Sequence, residues 1–172
     1  MNDIEIPQEN ALKKVPQGAE ELVATWTRGL SVVAELVPQK DLYIVVAKDD
    51  GGRYHVTTFF PKVFMPGWNV SGDAQRKDAD TAFKALERPV KASVPKGAEE
   101  IVETWLRGLS VVAEISHERD LYIAVAKDDR GNYHVTTFFP KGFMPGWNVS
   151  GDARGVDADT AFQALERRMN PL

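Results

Sequence analysis

The 172-residue sequence predicts an α+β protein built as a tandem repeat. Each copy reads as a small α-β-β-β-(β)-α unit, an antiparallel sheet with helices on one face, and the two copies are expected in a pseudo-twofold arrangement. Two observations carry this reading. Positions 15–88 realign on 94–167 at a constant offset of 79 without a gap, and 57 of the 74 pairs are identical. Within each copy, runs of β-branched and aromatic residues with turn signals between them are flanked by two segments of helical patterning. The organisation is then a polar lead-in over 1–14, a first unit over 15–88, a linker over 89–93, and a second unit with a short tail over 94–172. Five linker residues reach at most about 17 Å, so the copies must be neighbours. A tandem copy can take the place of a symmetric dimer within one chain.

The first helix is expected over Gly18 to Arg28. Glu20 and Glu21 at its start and Arg28 at its end suit the helix dipole, Leu22, Val23 and Trp26 share a face, and Gly29 sits where a glycine stops a helix. Leu30 to Leu36 reads as a strand, and Val37-Pro38-Gln39-Lys40 as a turn whose counterpart is Ser116-His117-Glu118-Arg119. Asp41 to Lys48 is strongly β-forming, and Asp49-Asp50-Gly51-Gly52 is a hairpin signal. Tyr54 to Phe60 returns as a strand that Pro61 ends, and Pro66 to Gly72 adds a short strand. Asp78 to Arg88 closes the unit as a helix, capped by Asp78 or Asp80 and striped with Ala82, Phe83 and Leu86. Strand alternation sets Tyr54, Val56, Thr58 and Phe60 on one face and His55, Thr57 and Phe59 on the other. One face must meet the helices. The other is either solvated or covered by the second copy, and aromatics on both faces hint at cover on both.

Composition narrows the function. With 43% hydrophobic and 27% charged residues the chain is a globular one, not a disordered one. No apolar run approaches the ~18–20 residues of a membrane span, so no membrane partner is expected. Met1-Asn2-Asp3-Ile4-Glu5 lacks a basic and an apolar signal region, which suggests a cytoplasmic location. Without cysteine there is no disulfide, thiol nucleophile or thiolate metal site. Asp49-Asp50 and Asp128-Asp129 read as turn formers, not metal ligands, given the glycines that follow. His55 and His134 read as packing or hydrogen-bonding residues. No phosphate loop, calcium loop or nucleophile elbow is present. The expectation is a protein that is not an enzyme and needs no cofactor or metal.

The order helix, three strands, helix resembles the double-stranded RNA-binding domain fold. The stretch from Leu42 through Asp49-Asp50-Gly51-Gly52 and Gly72 to Ala82 is also similar to the HicB-type antitoxin domain. The first resemblance implies nucleic-acid binding, the second occlusion of a toxin. Charge argues against nucleic acid. The second helix begins with acids, Lys77-Asp78-Ala79-Asp80 in one copy and Asp157-Ala158-Asp159 in the other, and the chain nets −4.

A protein partner is therefore the leading expectation, with a non-catalytic antitoxin, immunity-like or phage-encoded inhibitor as the function. The segment Phe59 to Asn69 gathers apolar side chains around two prolines. It either lids its own core or presents an apolar patch. As a patch, it offers Phe64, Met65 and Trp68, with Phe143, Met144 and Trp147, as anchors. Tyr43 and His55, with Tyr122 and His134, are further partner-binding candidates on an exposed sheet face. The alternative is a small-molecule sequestering protein with its ligand at the seam between the repeats.

Overall fold

The computed structural model describes residues 12–87, 94–116 and 120–169. Most of the lead-in, the linker, the tail and the turn bearing His117 lie outside the described residues. The order is α1 (Glu20–Trp26), β1 (Ser31–Gln39), β2 (Leu42–Lys48), β3 (Tyr54–Pro61), β4 (Trp68–Arg76) and α2 (Ala79–Ala85) in the first unit. The second unit follows with α3 (Glu99–Leu106), β5 (Ser110–Ser116), β6 (Tyr122–Lys127), β7 (Tyr133–Pro140), β8 (Trp147–Gly155) and α4 (Ala158–Met169). Each unit makes one four-stranded antiparallel meander, β1-β2-β3-β4 and β5-β6-β7-β8.

Local chemistry explains most boundaries. The chain leaves α1 through Gly29 at φ +81°, a left-handed turn that favours glycine. Asp78 caps α2 by accepting from the Thr81 N–H, and Asp157 does the same for Thr160 ahead of α4. Two elements are longer than expected. β1 continues to Gln39, which pairs with Leu42, so the turn narrows to Lys40 and Asp41. A register shift between Leu36 and Gln39 absorbs Pro38, which an edge strand tolerates because its outward side needs no ladder donor. β4 is a full nine-residue strand, not a short one. Its register shifts between Ser71, opposite Thr58, and Ala74, opposite Val56. Gly72 and Asp73, poor strand formers that read as a strand end, are instead the bulge.

The expectation of helices on one face is corrected. Leu36, Ile44, Val46, Tyr54 and Val56 pack with Ala82 and Phe83 of α2 and with Leu86 at its C-cap, and in the same cluster with the matching residues of β5–β7 and α4. Tyr43, Val45, Ala47 and Phe59, on the opposite face of the same strands, pack with Ala19 and Val23 at α1. The second sheet repeats this with Ala98 and Val102 at α3. The layers are thus an outer helix, a sheet, the pair α2 and α4, the other sheet, and the other outer helix. Two-sided apolar strands demand cover on both faces, and one short helix per unit cannot supply both.

The inner layer is shared reciprocally. Phe83 and Phe162 stack at 4.0 Å between ring centroids. Phe162 also meets Tyr54, and Phe83 meets Tyr133, each at 5.3 Å. Asp159 accepts from Tyr54 Oη at 2.7 Å and Lys48 Nζ at 2.9 Å. Asp80 accepts from Tyr133 Oη at 2.8 Å and Lys127 Nζ at 3.0 Å. Glu87, just past α2, accepts from the Glu114 N–H of β5, and Glu166 of α4 accepts from the Glu35 N–H of β1. Each contact has its mate at the repeat offset, which is a pseudo-twofold arrangement within one chain. Each unit owns a small outer core, and the larger inner one belongs to both.

Two predictions follow from the shared core. Phe83→Ala or Phe162→Ala should cost about 3–5 kcal/mol in urea unfolding and keep a single transition, because both sheets lose the same neighbour. Separate transitions for the two halves would show independent cores. The second concerns Tyr43, Tyr54, Tyr122 and Tyr133, the chain's four tyrosines. Burial, then the neighbouring carboxylates, pushes all four phenols well above their usual range. A raised pKa in the fold means a stability contribution complete below pH about 10 and lost as pH rises beyond it. Tyrosinate absorbance should therefore appear only together with loss of the near-ultraviolet circular dichroism. Ionisation near pH 10 with the fold intact would contradict the burial.

Candidate functional site: two apolar hairpin tips

β3 and β4 are joined by a closed hairpin. Pro61 pairs with Trp68, and the Lys62 N–H donates to the Gly67 carbonyl at 2.9 Å. Gly67 stands at φ +117°, where a side chain would be strained. Lys141 and Gly146 repeat the bond at the same length in the second unit. The backbone of each hairpin is thus tied at its base, with residues 63–66 and 142–145 in the loop beyond the tie.

Those side chains point outward. Phe64 is 97% exposed and Phe143 fully so, with Met65 and Met144 more than half exposed. Val63 adds an exposed apolar residue in the first copy, where the second has Gly142. Trp68 and Trp147 behave differently. Each is half-buried against its outer core, with the indole over Gly18 or Gly97. A methyl group on Gly18 would come within 3.6 Å of Trp68 Nε1. The two readings of this segment therefore divide along it: the tryptophan lids the core, and the phenylalanine and methionine are presented.

The other four candidates are not on an exposed face, which corrects that expectation. Tyr43 and Tyr122 are fully buried beneath α1 and α3, and their hydroxyls donate to Glu35 at 2.9 Å and Glu114 at 2.7 Å. Glu35 also accepts from the Lys13 and Lys14 N–H groups, which fastens the chain leading into α1. His55 and His134 are buried on the same sheet faces. Their Nε2 atoms meet Asp49 at 2.8 Å and Asp128 at 2.9 Å. The first acids of the two hairpins are turn builders. Asp49 accepts from the Gly51 and Arg53 N–H groups, and Asp128 from those of Arg130 and Asn132. Bonding to the histidine, then to these N–H groups, holds both carboxyls below the usual range. Such a pair orders a hairpin. Among the described residues no group of three or more His, Asp or Glu gathers as metal ligands do.

The alternative reading expects a ligand at the seam between the repeats, and a groove is found there. The groove, of about 390 Å³, lies between α2 of the first unit and β5 and β6 of the second, lined by Asp80, Lys84, Ser110, Val111, Val112, Lys127 and Asp128. Its walls come from opposite repeats, so no local pattern joins them.

The division of the loop has a direct test. Phe64→Ala with Phe143→Ala should leave stability within about 0.5 kcal/mol, as fully exposed positions do. Trp68→Ala with Trp147→Ala should lower it by several times that amount, because each removes a lid from a core. Equal costs in urea melts would mean that the phenylalanines pack too. Comparison with protein-family models, with curated proteins and with solved structures finds no match to this chain, so the functional reading rests on the geometry of these tips.

Proposed function

We propose that the protein is a non-catalytic binder that occludes a partner protein in the cytoplasm, as an antitoxin, an immunity-like protein or a phage-encoded inhibitor does. The observation that carries this is the presentation of Phe64 and Phe143, almost wholly exposed on closed hairpins, while the adjacent tryptophans are folded down. A soluble chain gains nothing in its own stability from such side chains, and exposed aromatic and methionine anchors are typical of interface centres. Burying one phenylalanine and one methionine contributes roughly 1.5–3 kcal/mol each before the costs of association. None of the described helices is long and apolar enough to cross a membrane.

The test is comparative purification from the native host with the wild-type chain and with Phe64→Asp plus Phe143→Asp, after circular dichroism shows both folded. A protein that copurifies with the wild type, is lost from the double variant, and has its activity blocked on rebinding supports the reading. Retention by the double variant, or recovery of nucleic acid instead, overturns it.

The inter-repeat groove favours a second reading, a small-molecule sequestering protein. Lys84 lines it, whereas the repeat-related position is Gln163. A ligand held there should appear as one added mass per chain in native mass spectrometry and be lost in Lys84→Gln.

A further inference from the structure

The two tips are not merely similar; they are related by the symmetry of the fold. Phe83 stacks on its own repeat mate, Phe162, and the contacts of Asp80 with Tyr133 and Lys127 are matched by those of Asp159 with Tyr54 and Lys48. The shared core fixes the two sheets relative to each other, and a tied hairpin fixes each tip relative to its sheet. Charge adds a second constraint. From Phe59 to Gly72 the one charged residue is Lys62, and from Phe138 to Gly151 it is Lys141, on a chain that nets −4. The lysine chains lie along the hairpin bases, with Nζ of Lys62 and of Lys141 beside Gly67 and Gly146. Each tip is thus an apolar point with a cation at its root and no acid within its own segment.

Resting on the reading of the tips as a protein-binding surface, we propose that the partner is itself twofold-symmetric: a protein homodimer whose subunits each offer an apolar pocket with a carboxylate at its rim. A twofold partner sharing the pseudo-axis can take both tips at once in equivalent contacts, which an asymmetric monomer cannot. Simultaneous engagement raises affinity by about 10²–10⁴ over one tip without any new kind of contact. An acidic rim meets Lys62 and Lys141 and speeds encounter. A lipid surface is the poorer fit. Each tip brings one lysine, about 1 kcal/mol of attraction to anionic headgroups, on a chain whose net charge is repelled by them.

The test uses the complex purified from the host. Native mass spectrometry should show one chain per two partner subunits. Phe64→Asp and Phe143→Asp, made singly, should each weaken binding about 10²-fold or more and to a similar extent, and together abolish it. Lys62→Ala with Lys141→Ala should slow association and flatten its salt dependence while leaving the stoichiometry unchanged. A one-to-one complex, or a loss on mutating only one tip, overturns the symmetric partner while leaving the protein-binding reading in place. If no tip-dependent protein copurifies, both fall. Sedimentation with phosphatidylcholine–phosphatidylserine vesicles that Phe64→Asp abolishes would assign the tips to a lipid surface instead.

Discussion

Phe83 and Phe162 meet face to face between the two sheets, and the rest of the molecule is arranged around that contact. Each ring belongs to a helix at the end of its own unit, yet each also touches a tyrosine of the other unit's third strand. A four-stranded sheet with apolar residues on both faces needs two covers. One short helix such as α1 gives the first, and the inner helix pair gives the second to both sheets at once. Units of about 74 residues lie near the small end of what folds alone, so sharing the larger core is how this chain reaches adequate burial.

The polar contacts of the seam set its register more than its strength. Asp159 and Asp80 are each more than a third exposed, so their ion pairs with Lys48 and Lys127 are well screened. Their tyrosine partners are mostly buried, and a buried hydroxyl without an acceptor is costly. Each carboxylate must therefore reach across to the other unit's Tyr54 or Tyr133, which selects one sliding position of the helix pair. With the inner layer fixed in this way, the hairpins at the sheet ends carry no structural duty beyond the tryptophan at their base. That freedom is what allows an apolar tip to be kept exposed twice in the same chain.

Much of this was legible in local chemistry. Asp49 with Gly51-Gly52 specifies a hairpin, Gly29 a helix stop and Asp78 a cap, because each satisfies backbone groups within four residues. Alternation along Tyr54 to Phe60 sorted the sheet faces correctly. An apolar run between two prolines marks Phe64 and Met65 in the sequence, and the structure leaves both exposed. The same reasoning could not place Tyr43 or His55. A polar tip on a strand reads as solvent-facing until Glu35 is found to meet Tyr43, and Asp49 of the hairpin turn to meet His55.

The amino-acid sequence by itself determined the duplication, the antiparallel meander, the turns and the apolar character of the two tips, all properties of neighbours along the chain. Only the tertiary structure decided that helices cover both faces of each sheet, that Asp80 and Asp159 are exchanged between units, that the tryptophans fold in while the phenylalanines stay out, and that a groove opens at the seam. These depend on contacts between residues dozens to more than a hundred positions apart, such as Tyr54 with Asp159. Periodicity states that a face must be buried, but it carries no term for which distant surface does the burying.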